Sequence, residues 1–103
     1  MLESYVRAHL DLLLLAVIRD EPGDATAVMR ELRERSGGRF TPSSQLVYAV
    51  LHHLERNRLV QHSDTARRRY ELTDSGRRSL ATKRKAWESF VKGVQGVVRR
   101  SAA

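Results

Sequence analysis

The chain of 103 residues contains no cysteine, and it contains no long uninterrupted run of apolar residues. Without cysteine, disulfide bonds and thiol catalysis are excluded, and a cytosolic location is permitted. The longest apolar run, Leu12 to Ile18, is far shorter than the roughly 18 residues that a membrane-spanning helix requires. Charged residues flank this run and no small-residue cleavage site follows it, so it does not resemble a signal peptide. We therefore expect a soluble, cytoplasmic protein with no membrane partner.

Recognisable catalytic and metal-binding motifs are also missing. The chain has no H-E-x-x-H pair, no glycine-rich phosphate loop and no G-x-S-x-G turn. Its four histidines are scattered, and a metal site built from His52, His53 and His62 would lack both cysteine and a fixed ligand spacing. We expect neither an enzyme nor a metal site, and no cofactor.

Negative charge is scarce in the second part of the chain. The whole sequence has 19 Lys and Arg against 12 Asp and Glu, a net charge of +7. Residues 1–40 hold six Arg and seven acids, whereas residues 41–103 hold thirteen Lys or Arg and five acids. Such an excess favours a polyanionic partner, and nucleic acid is the first candidate. A charge run by itself is more simply explained as a solvated face, so its position must be judged with the elements that carry it.

Length and composition suit one compact domain. A chain of 103 residues with 41% apolar content can bury a single core. Residues 2–19 contain good helix formers, and only Asp11 interrupts the apolar residues from Leu10 to Ile18. A helix that is apolar on all sides must be covered on all sides. Its own core can cover one side, and a second subunit is a candidate for the other.

A short amphipathic second helix is predicted after the turn at Pro22 and Gly23. Asp24 is a suitable N-cap, because its carboxylate can accept hydrogen bonds from the exposed amides of the first turn. Four apolar residues then recur at helical spacing: Ala25, Val28, Met29 and Leu32. Gly37 and Gly38 are expected to end the helix, since glycine adopts the left-handed conformation of a closing turn at little cost.

The third helix is the first candidate for contact with nucleic acid. Thr41 is predicted as its N-cap and Pro42 as its first residue, so the helix covers residues 42–56. Five apolar residues form the predicted buried stripe: Leu46, Val47, Val50, Leu51 and Leu54. At about 100° per residue, the opposite face carries Gln45, Tyr48, Ala49, His52 and Arg56.

This opposite face has the chemistry of base recognition. In the major groove Gln pairs with adenine and Arg with guanine, and a small residue such as Ala49 permits close approach or touches a thymine methyl group. Ser43 and Ser44, at the start of the helix, suit a phosphate oxygen. A simpler interpretation stays open, in which Tyr48 packs against the following hairpin and His52 is merely solvated.

Two short antiparallel strands with a polar connection are predicted next. Residues 59–62 and 69–72 alternate as strands do, with Leu59, Tyr70 and Leu72 as inward positions. The connection ends in three adjacent arginines, Arg67, Arg68 and Arg69. Such a tip reaches a minor groove or phosphates, and each phosphate neutralised adds about 0.9 to the salt slope of affinity. We predict that residues 63–69 form a DNA-contacting wing.

The last predicted helix begins after the N-cap Thr73 and continues to about residue 100. At ~1.5 Å per residue it would be about 40 Å long, whereas a domain of ~100 residues has a radius of gyration of only ~13 Å. Its apolar stripe would project beyond the core, which indicates an interface. Gly93 and Gly96 mark either a close helix crossing or a frayed end. The predicted interface residues on the first and last helices are Leu10, Leu13, Val17, Leu80, Trp87, Val91, Val94 and Val98.

Three segments resemble the PadR family of bacterial transcriptional regulators. The first is the apolar run at residues 10–18, followed by E-P at residues 21–22. The second is Y-x-x-L-H-x-L-E at residues 48–55, continuing to L-V at residues 59–60. The third and most specific is R-R-R-Y-E-L-T-D-S-G-R at residues 67–77, which is similar to the family's R-R-x-Y-x-L-T-x-x-G-R signature. Together the three segments span most of the chain.

The resemblance implies a fold that is mostly α with a small β-hairpin, of the α+β class. Residues 1–73 would form a winged helix-turn-helix, and residues 74–103 a C-terminal dimerisation helix that packs with the first helix. This single short C-terminal helix resembles the compact branch of the family. The partners implied are a second copy of the chain and double-stranded DNA, in a nucleoid-associated repressor of nearby genes. In some members a small aromatic or lipophilic effector at the dimer interface relieves repression. Trp87 matches the region where a flat ligand would stack. The alternative is that Trp87 is an ordinary residue of the dimer interface.

The chain also departs from the family pattern. Ala25-Thr26 stands where many members have Gly-Tyr, and Arg58 stands where they have glycine before the first strand. Residues 42–45 replace a serine-proline-glycine turn, with one added residue. These changes affect the packing of the second helix and the base-reading set rather than the fold. The alternative function is a winged-helix module that binds an acidic protein in place of DNA.

Overall fold

A computed structural model of the chain describes residues 2–63 and 68–99. In these ranges the elements follow the order α1 (Leu2–Asp20), α2 (Ala25–Arg35), α3 (Ser44–Arg56), β1 (Val60–His62), β2 (Tyr70–Leu72) and α4 (Asp74–Val98). The predicted class, mostly helical with one small hairpin, is confirmed. No helix in the described ranges is long and apolar enough to cross a membrane.

Helix α1 lies at the centre of the core. Helices α2, α3 and α4 and strand β2 all pack against it. Its apolar run explains this position, because Leu14, Leu15 and Ile18 are fully buried. Burying one such side chain contributes roughly 1.5–3 kcal/mol. The rest of the fold is therefore arranged around α1.

Three residues that we predicted at a subunit interface belong to the core of the chain itself. The exposed fraction is 0% for Leu10, 3% for Val17 and 3% for Leu80. The prediction was wrong for these residues because the first turns of α4 fold back onto α1. The side of α1 that we assigned to a second subunit is covered there by the same chain.

The helix caps are mostly those that the sequence predicts. Asp24 caps α2 by accepting a hydrogen bond of 2.8 Å from the backbone N–H of Ala27. Gly37 and Gly38 follow α2 with φ values of 64° and 79°, the left-handed conformation expected of them. Thr73 caps α4 by accepting a hydrogen bond of 3.0 Å from the backbone N–H of Gly76.

Helix α3 begins later than predicted. Its N-cap is Ser43 rather than Thr41, and the Ser43 hydroxyl accepts a hydrogen bond of 3.2 Å from the backbone N–H of Leu46. Pro42 consequently precedes the helix. Serine is a somewhat better N-cap than threonine, but Pro42 suits the first helical position and therefore pointed to Thr41 as the cap.

The hairpin also pairs with a third segment that the sequence did not indicate, the turn before α2. Strands β1 and β2 are antiparallel, with Val60 opposite Leu72 and His62 opposite Tyr70. Gly23 adds an isolated bridge to the other edge of β2, because the Tyr70 N–H donates to its carbonyl at 2.8 Å and its own N–H donates to the Tyr70 carbonyl at 3.2 Å. The turn between α1 and α2 is thereby tied to the wing.

The inward residue of β1 is Val60, whereas Leu59 is only partly buried. The Leu59 N–H still donates to the carbonyl of Leu54 at 2.9 Å, so Leu59 belongs to the turn that follows α3. The predicted inward positions Tyr70 and Leu72 are both buried, as expected.

An ion-pair network joins the ends of α1 and α2. Asp20 contacts Arg19 and Arg35, each at 2.7 Å, and Arg35 also contacts Glu31 at 2.9 Å. Hydrogen bonds from Arg19 and Arg35 hold the pKa of the Asp20 carboxyl well below its usual range. The side chains around Asp20 remain partly exposed to solvent, so each of the two pairs of Asp20 contributes less than about 1 kcal/mol.

Helix α4 extends well beyond the core. The described chain measures 60 × 27 × 20 Å, and the buried residues of α4 lie in its first two turns. Farther along, Lys83 pairs with Asp11 of α1 at 2.8 Å, and the Trp87 ring lies 5.1 Å from the His9 ring. Most of the remaining length of α4 is exposed to solvent.

Candidate nucleic-acid interface

Helix α3 has one buried face and one exposed face. Val47, Leu51 and Leu54 are buried against the core, and Leu46 and Val50 are partly buried. The opposite face is exposed and carries five of the candidate DNA-contacting residues: Gln45, Tyr48, Ala49, His52 and Arg56. Ser43 and Ser44 are exposed at the start of the helix, where Ser43 lines a separate cleft with Arg7 and Arg39. The structure therefore brings five of the seven residues to one surface.

The described end of the predicted wing lies beside this surface, because Arg68 lines a cleft with Tyr48. Arg68 and Arg69 immediately precede β2 and are exposed, whereas Arg67 lies outside the described residues. No carboxylate of the described part of the chain is within ion-pairing distance of Arg68 or Arg69. Two guanidinium groups are thus available to an anionic partner.

A side-chain pair that sequence reasoning missed connects α3 to the wing. Glu55, near the end of α3, forms an ion pair with His62 of β1, and both side chains are about a quarter exposed. The His62 ring also packs edge-on to the Tyr70 ring at 5.9 Å. Nothing in the spacing of Glu55 and His62 predicts their contact, because it depends on the angle between α3 and β1. The pair fixes the base of the wing relative to α3.

Tyr48 lies at the junction of three elements. It lines a cleft of about 230 Å³ together with Arg68, Tyr70 and the first residues around α2, which are Asp24, Ala25 and Thr26. Tyr48 is therefore next to the hairpin, as the simpler interpretation had it, yet its side chain remains 45% exposed. Asp24 and Thr26 were absent from the predicted site, because only the Gly23–Tyr70 bridge brings the start of α2 to the wing.

The electrostatics of this surface are basic and contain no metal site. Arg56, Arg68 and Arg69 are exposed on α3 and before β2. Each of the acids on α3 and β2, Glu55 and Glu71, contacts a neighbouring polar side chain. Within residues 2–63 and 68–99, no three His, Asp or Glu side chains are grouped so as to hold a metal ion. The exposed guanidinium groups suit an anionic partner.

A second exposed surface runs along α4. Trp87 is 40% exposed, Phe90 60% and Val97 80%, and Val94 and Val98 are also exposed. Phe90 and Val97 were not among the predicted interface residues, although both continue the helical spacing of Trp87 and Val94. Of the other predicted interface residues, Val91 and Leu13 are partly buried.

A cleft separates the middle of α4 from α1. It has a volume of about 330 Å³, and His9, Trp87 and Phe90 form its aromatic lining. The paired side chains of Asp11 and Lys83 also line it. Burial raises the pKa of Asp11. Hydrogen bonds from Lys83 and from the Leu12 backbone N–H together lower it by more, so the pKa of Asp11 lies below its ordinary value.

The fold has counterparts among solved structures. A transcriptional regulator from Clostridium thermocellum superposes with a TM-score of 0.83 at 18% identity, covering 92% of this chain and 95% of that chain. A PadR-like transcriptional regulator from Bacillus cereus gives 0.80 at 16% identity, covering 95% and 99%. A PadR family transcription regulator from Clostridium difficile gives 0.74 at 21% identity, covering 89% and 99%. These structures share the fold of this chain.

The sequence itself identifies the family. No curated protein matches the chain significantly. The model of the PadR-like family of transcriptional regulators, however, matches residues 14–82, from the apolar run of α1 through the start of α4. The match includes α2, α3 and the hairpin. The chain therefore belongs to the PadR-like family of transcriptional regulators.

Proposed function

We propose that the protein is a sequence-specific DNA-binding repressor that acts as a homodimer on an inverted repeat. The observation that carries the proposal is the exposed polar face of α3 next to two arginines without carboxylate partners in the described chain. A helix of 13 residues is about 20 Å long at ~1.5 Å per residue. Its diameter of about 10–12 Å with side chains fits the major groove of B-DNA, which is about 12 Å wide.

Direct base reading is assigned to Gln45, Ala49, His52 and Arg56. They are exposed on consecutive turns of α3 and have no ion pair within the described ranges. Amide and guanidinium groups make paired hydrogen bonds to base edges, each worth about 1–3 kcal/mol of discrimination. Backbone contacts are assigned to Ser43, Ser44 and the wing, because hydroxyl and guanidinium groups suit phosphate oxygens.

A second copy of the chain is the proposed occupant of the exposed α4 surface. Trp87, Phe90, Val94 and Val97 recur at intervals of three and four residues, the spacing by which helices pair. A stripe of this kind would leave an unusually large apolar patch in water if the chain stayed monomeric. A two-fold axis there relates two α3 helices, which would read half-sites about one helical turn, roughly 34 Å, apart.

The proposal also includes regulation by a small hydrophobic or aromatic effector. The cleft lined by His9, Trp87 and Phe90 measures about 330 Å³, at the lower end of the roughly 300–1,000 Å³ range of ligand pockets. A flat ligand held there would lie at the base of the α4 pairing surface. By changing how two α4 helices meet, it would change the separation of the two α3 helices and release the DNA.

Fluorescence anisotropy with duplex DNA at two salt concentrations tests the proposal. If Arg68 and Arg69 of both subunits neutralise four phosphates, the salt slope is about −3.6, or about a 150-fold loss of affinity from 50 to 200 mM salt. Salt-insensitive binding, or no binding to any duplex, contradicts DNA recognition. Capture of an acidic protein after nuclease treatment, without any binding to duplex, would favour the protein-interaction alternative instead.

A further inference from the structure

We infer that the cleft between α2, α3 and β2 binds a single phosphate of the DNA backbone and so fixes the register of α3 on the duplex. This Arg68 cleft is lined by Asp24, Ala25, Thr26, Tyr48, Arg68 and Tyr70. The inference rests on the proposed function and adds the identity of the group that the cleft holds. Phosphate contacts of this kind position a protein on DNA and leave sequence reading to other residues.

The size and rigidity of the Arg68 cleft suit a phosphate group. A volume of about 230 Å³ exceeds that of several water molecules, each of which occupies about 30 Å³. The cleft is open because the residues at the start of α2, Ala25 and Thr26, are small. Its wall at Tyr70 is only 2% exposed. The two backbone hydrogen bonds between Tyr70 and Gly23 fasten that wall to the turn before α2.

The donors around the cleft come from three different elements. Arg68 of the wing supplies a guanidinium group, Tyr48 of α3 a phenol and Thr26 of α2 a hydroxyl. Hydrogen bonds from a guanidinium to a phosphate are charge-assisted and about twice as strong as neutral ones. Because the three residues line one cleft, the simplest shared ligand is one tetrahedral anion. Tyr48 is thereby assigned to the backbone, although the sequence placed it among the base-reading candidates.

Asp24 is the one residue of the cleft whose replacement is expected to strengthen DNA binding. Its carboxylate also lines the cleft, where it accepts the capping hydrogen bond from the Ala27 N–H. A carboxylate beside a phosphate weakens binding. Asparagine caps a helix about as well as aspartate, so Asp24→Asn removes the charge while it retains the cap. This variant is expected to bind duplex DNA more tightly than the wild type.

The test is a salt titration on a random-sequence duplex, on which backbone contacts alone are measured. Arg68→Ala removes one guanidinium from each subunit, so it is expected to lower the salt slope by about 1.8, or about 0.9 per subunit, and the affinity by about 10-fold or more at low salt. Tyr48→Phe and Thr26→Val each lower the affinity by about 3- to 10-fold without changing the slope, since they remove neutral donors. Lys85→Ala, which removes one exposed positive charge from α4, is the matched control and leaves both quantities near the wild-type values. Equal melting temperatures show that the variants are folded.

A double variant decides whether the donors share one phosphate. If they do, Tyr48→Phe/Arg68→Ala loses less affinity than the product of the two single losses, because the first change already weakens the common site. Losses that multiply would mean separate phosphates and would overturn the inference. Weaker binding by Asp24→Asn would overturn it as well.

The outcomes also separate this inference from the proposed function. A wild-type protein that binds no duplex would contradict both the phosphate site and the proposed function. If the wild-type protein binds DNA, and Arg68→Ala has the same affinity and salt slope as Lys85→Ala, the phosphate site alone is contradicted. If Arg68→Ala changes the preference among sequences and leaves the salt slope unchanged, Arg68 reads bases and the site is not a phosphate cleft.

Discussion

Gly76, in the first turn of α4, packs directly against the backbone carbonyl of Leu59. A Cβ atom on Gly76 would overlap the carbonyl oxygen of Leu59, which also accepts a hydrogen bond of 3.1 Å from the Thr73 N–H. The Thr73 hydroxyl donates to the carbonyl of Arg58 at 2.6 Å. Glycine at this position therefore determines how closely α4 can begin beside the hairpin and the end of α3.

Replacing this glycine is expected to destabilise the fold. Gly76→Ala forces the backbone of Leu59 away from α4, at a cost of about 2–3 kcal/mol, measured as the free energy of unfolding in urea. Gly93→Ala is the control, because the space beside Gly93 is open in the chain and alanine is favoured over glycine in a helix by about 1 kcal/mol. Equal stabilities of the Gly76→Ala variant and the wild type would show that the contact is not tight.

Replacing Arg58 with glycine is expected to stabilise the fold. It has a φ of 59°, a left-handed conformation that is unfavourable for a side-chain-bearing residue. Arg58→Gly should raise the free energy of unfolding by about 0.5–1 kcal/mol, and the carbonyl that accepts from Thr73 is retained. Arg56→Gly, at the end of α3, should instead lower stability by up to about 1 kcal/mol. A loss of stability in Arg58→Gly would mean that the arginine side chain contributes more than its backbone strain costs.

The Asp11–Lys83 pair predicts a pH dependence of the α1–α4 contact. Because the pKa of Asp11 in the folded chain lies below its ordinary value of 3.8, the ionised carboxylate stabilises the fold above that value. The contribution disappears as the pH falls through the lower, folded pKa. At pH 7, Asp11→Asn should be less stable by about 0.5–1 kcal/mol, given that both side chains are partly exposed.

Urea unfolding at several pH values checks this prediction. The stabilities of Asp11→Asn and the wild type should converge in acid, once the pH has fallen below the lowered pKa of Asp11 in the folded chain and the carboxylate is protonated in both folded and unfolded chains. Glu88→Gln is a suitable control, since the exposed Glu88 lies 3.7 Å from Arg84 on the same helix. A difference between Asp11→Asn and the wild type that persists unchanged in acid would have a cause other than the charge of Asp11.

Trp87 is expected to determine the oligomeric state. Truncation of a buried aromatic interface residue costs about 2 kcal/mol or more, and a two-fold dimer would lose two such side chains. Trp87→Ala should therefore weaken dimerisation by at least about 1,000-fold in sedimentation equilibrium. Lys92→Ala, a change at an exposed charge of the same helix, should leave the dimer intact. A wild-type protein that is monomeric at micromolar concentration would contradict the assigned occupant of α4.

The sequence predicted those parts of the fold that depend on local chemistry. Asp24 and Thr73 are side-chain caps, and Gly37 and Gly38 are left-handed closing residues, so each can be identified from its immediate neighbours. The buried and exposed faces of α3 follow from helical periodicity in the same way. The start of α3 was misplaced because Pro42 suits the first helical position after Thr41, whereas the cap in the structure is Ser43.

The remaining features depend on contacts between distant segments. The sequence shows that Leu10 and Leu80 are apolar, but it does not show whether the same chain or a second copy covers them. The bridge from Gly23 to Tyr70 and the pair of Glu55 with His62 arise only when the hairpin lies against α1 and α3. The Arg68 cleft is formed by that same arrangement, which is why Thr26 was not among the predicted site residues.

Selection of bound sequences from a pool of random duplex DNA tests the central claim most directly. If two α3 helices are held at a fixed distance by paired α4 helices, the wild-type protein should recover an inverted repeat with half-sites about 10 base pairs apart from centre to centre. Arg68→Ala should recover the same repeat with lower yield. A pool that shows no enrichment, or only a single half-site without its inverted copy, would contradict the account.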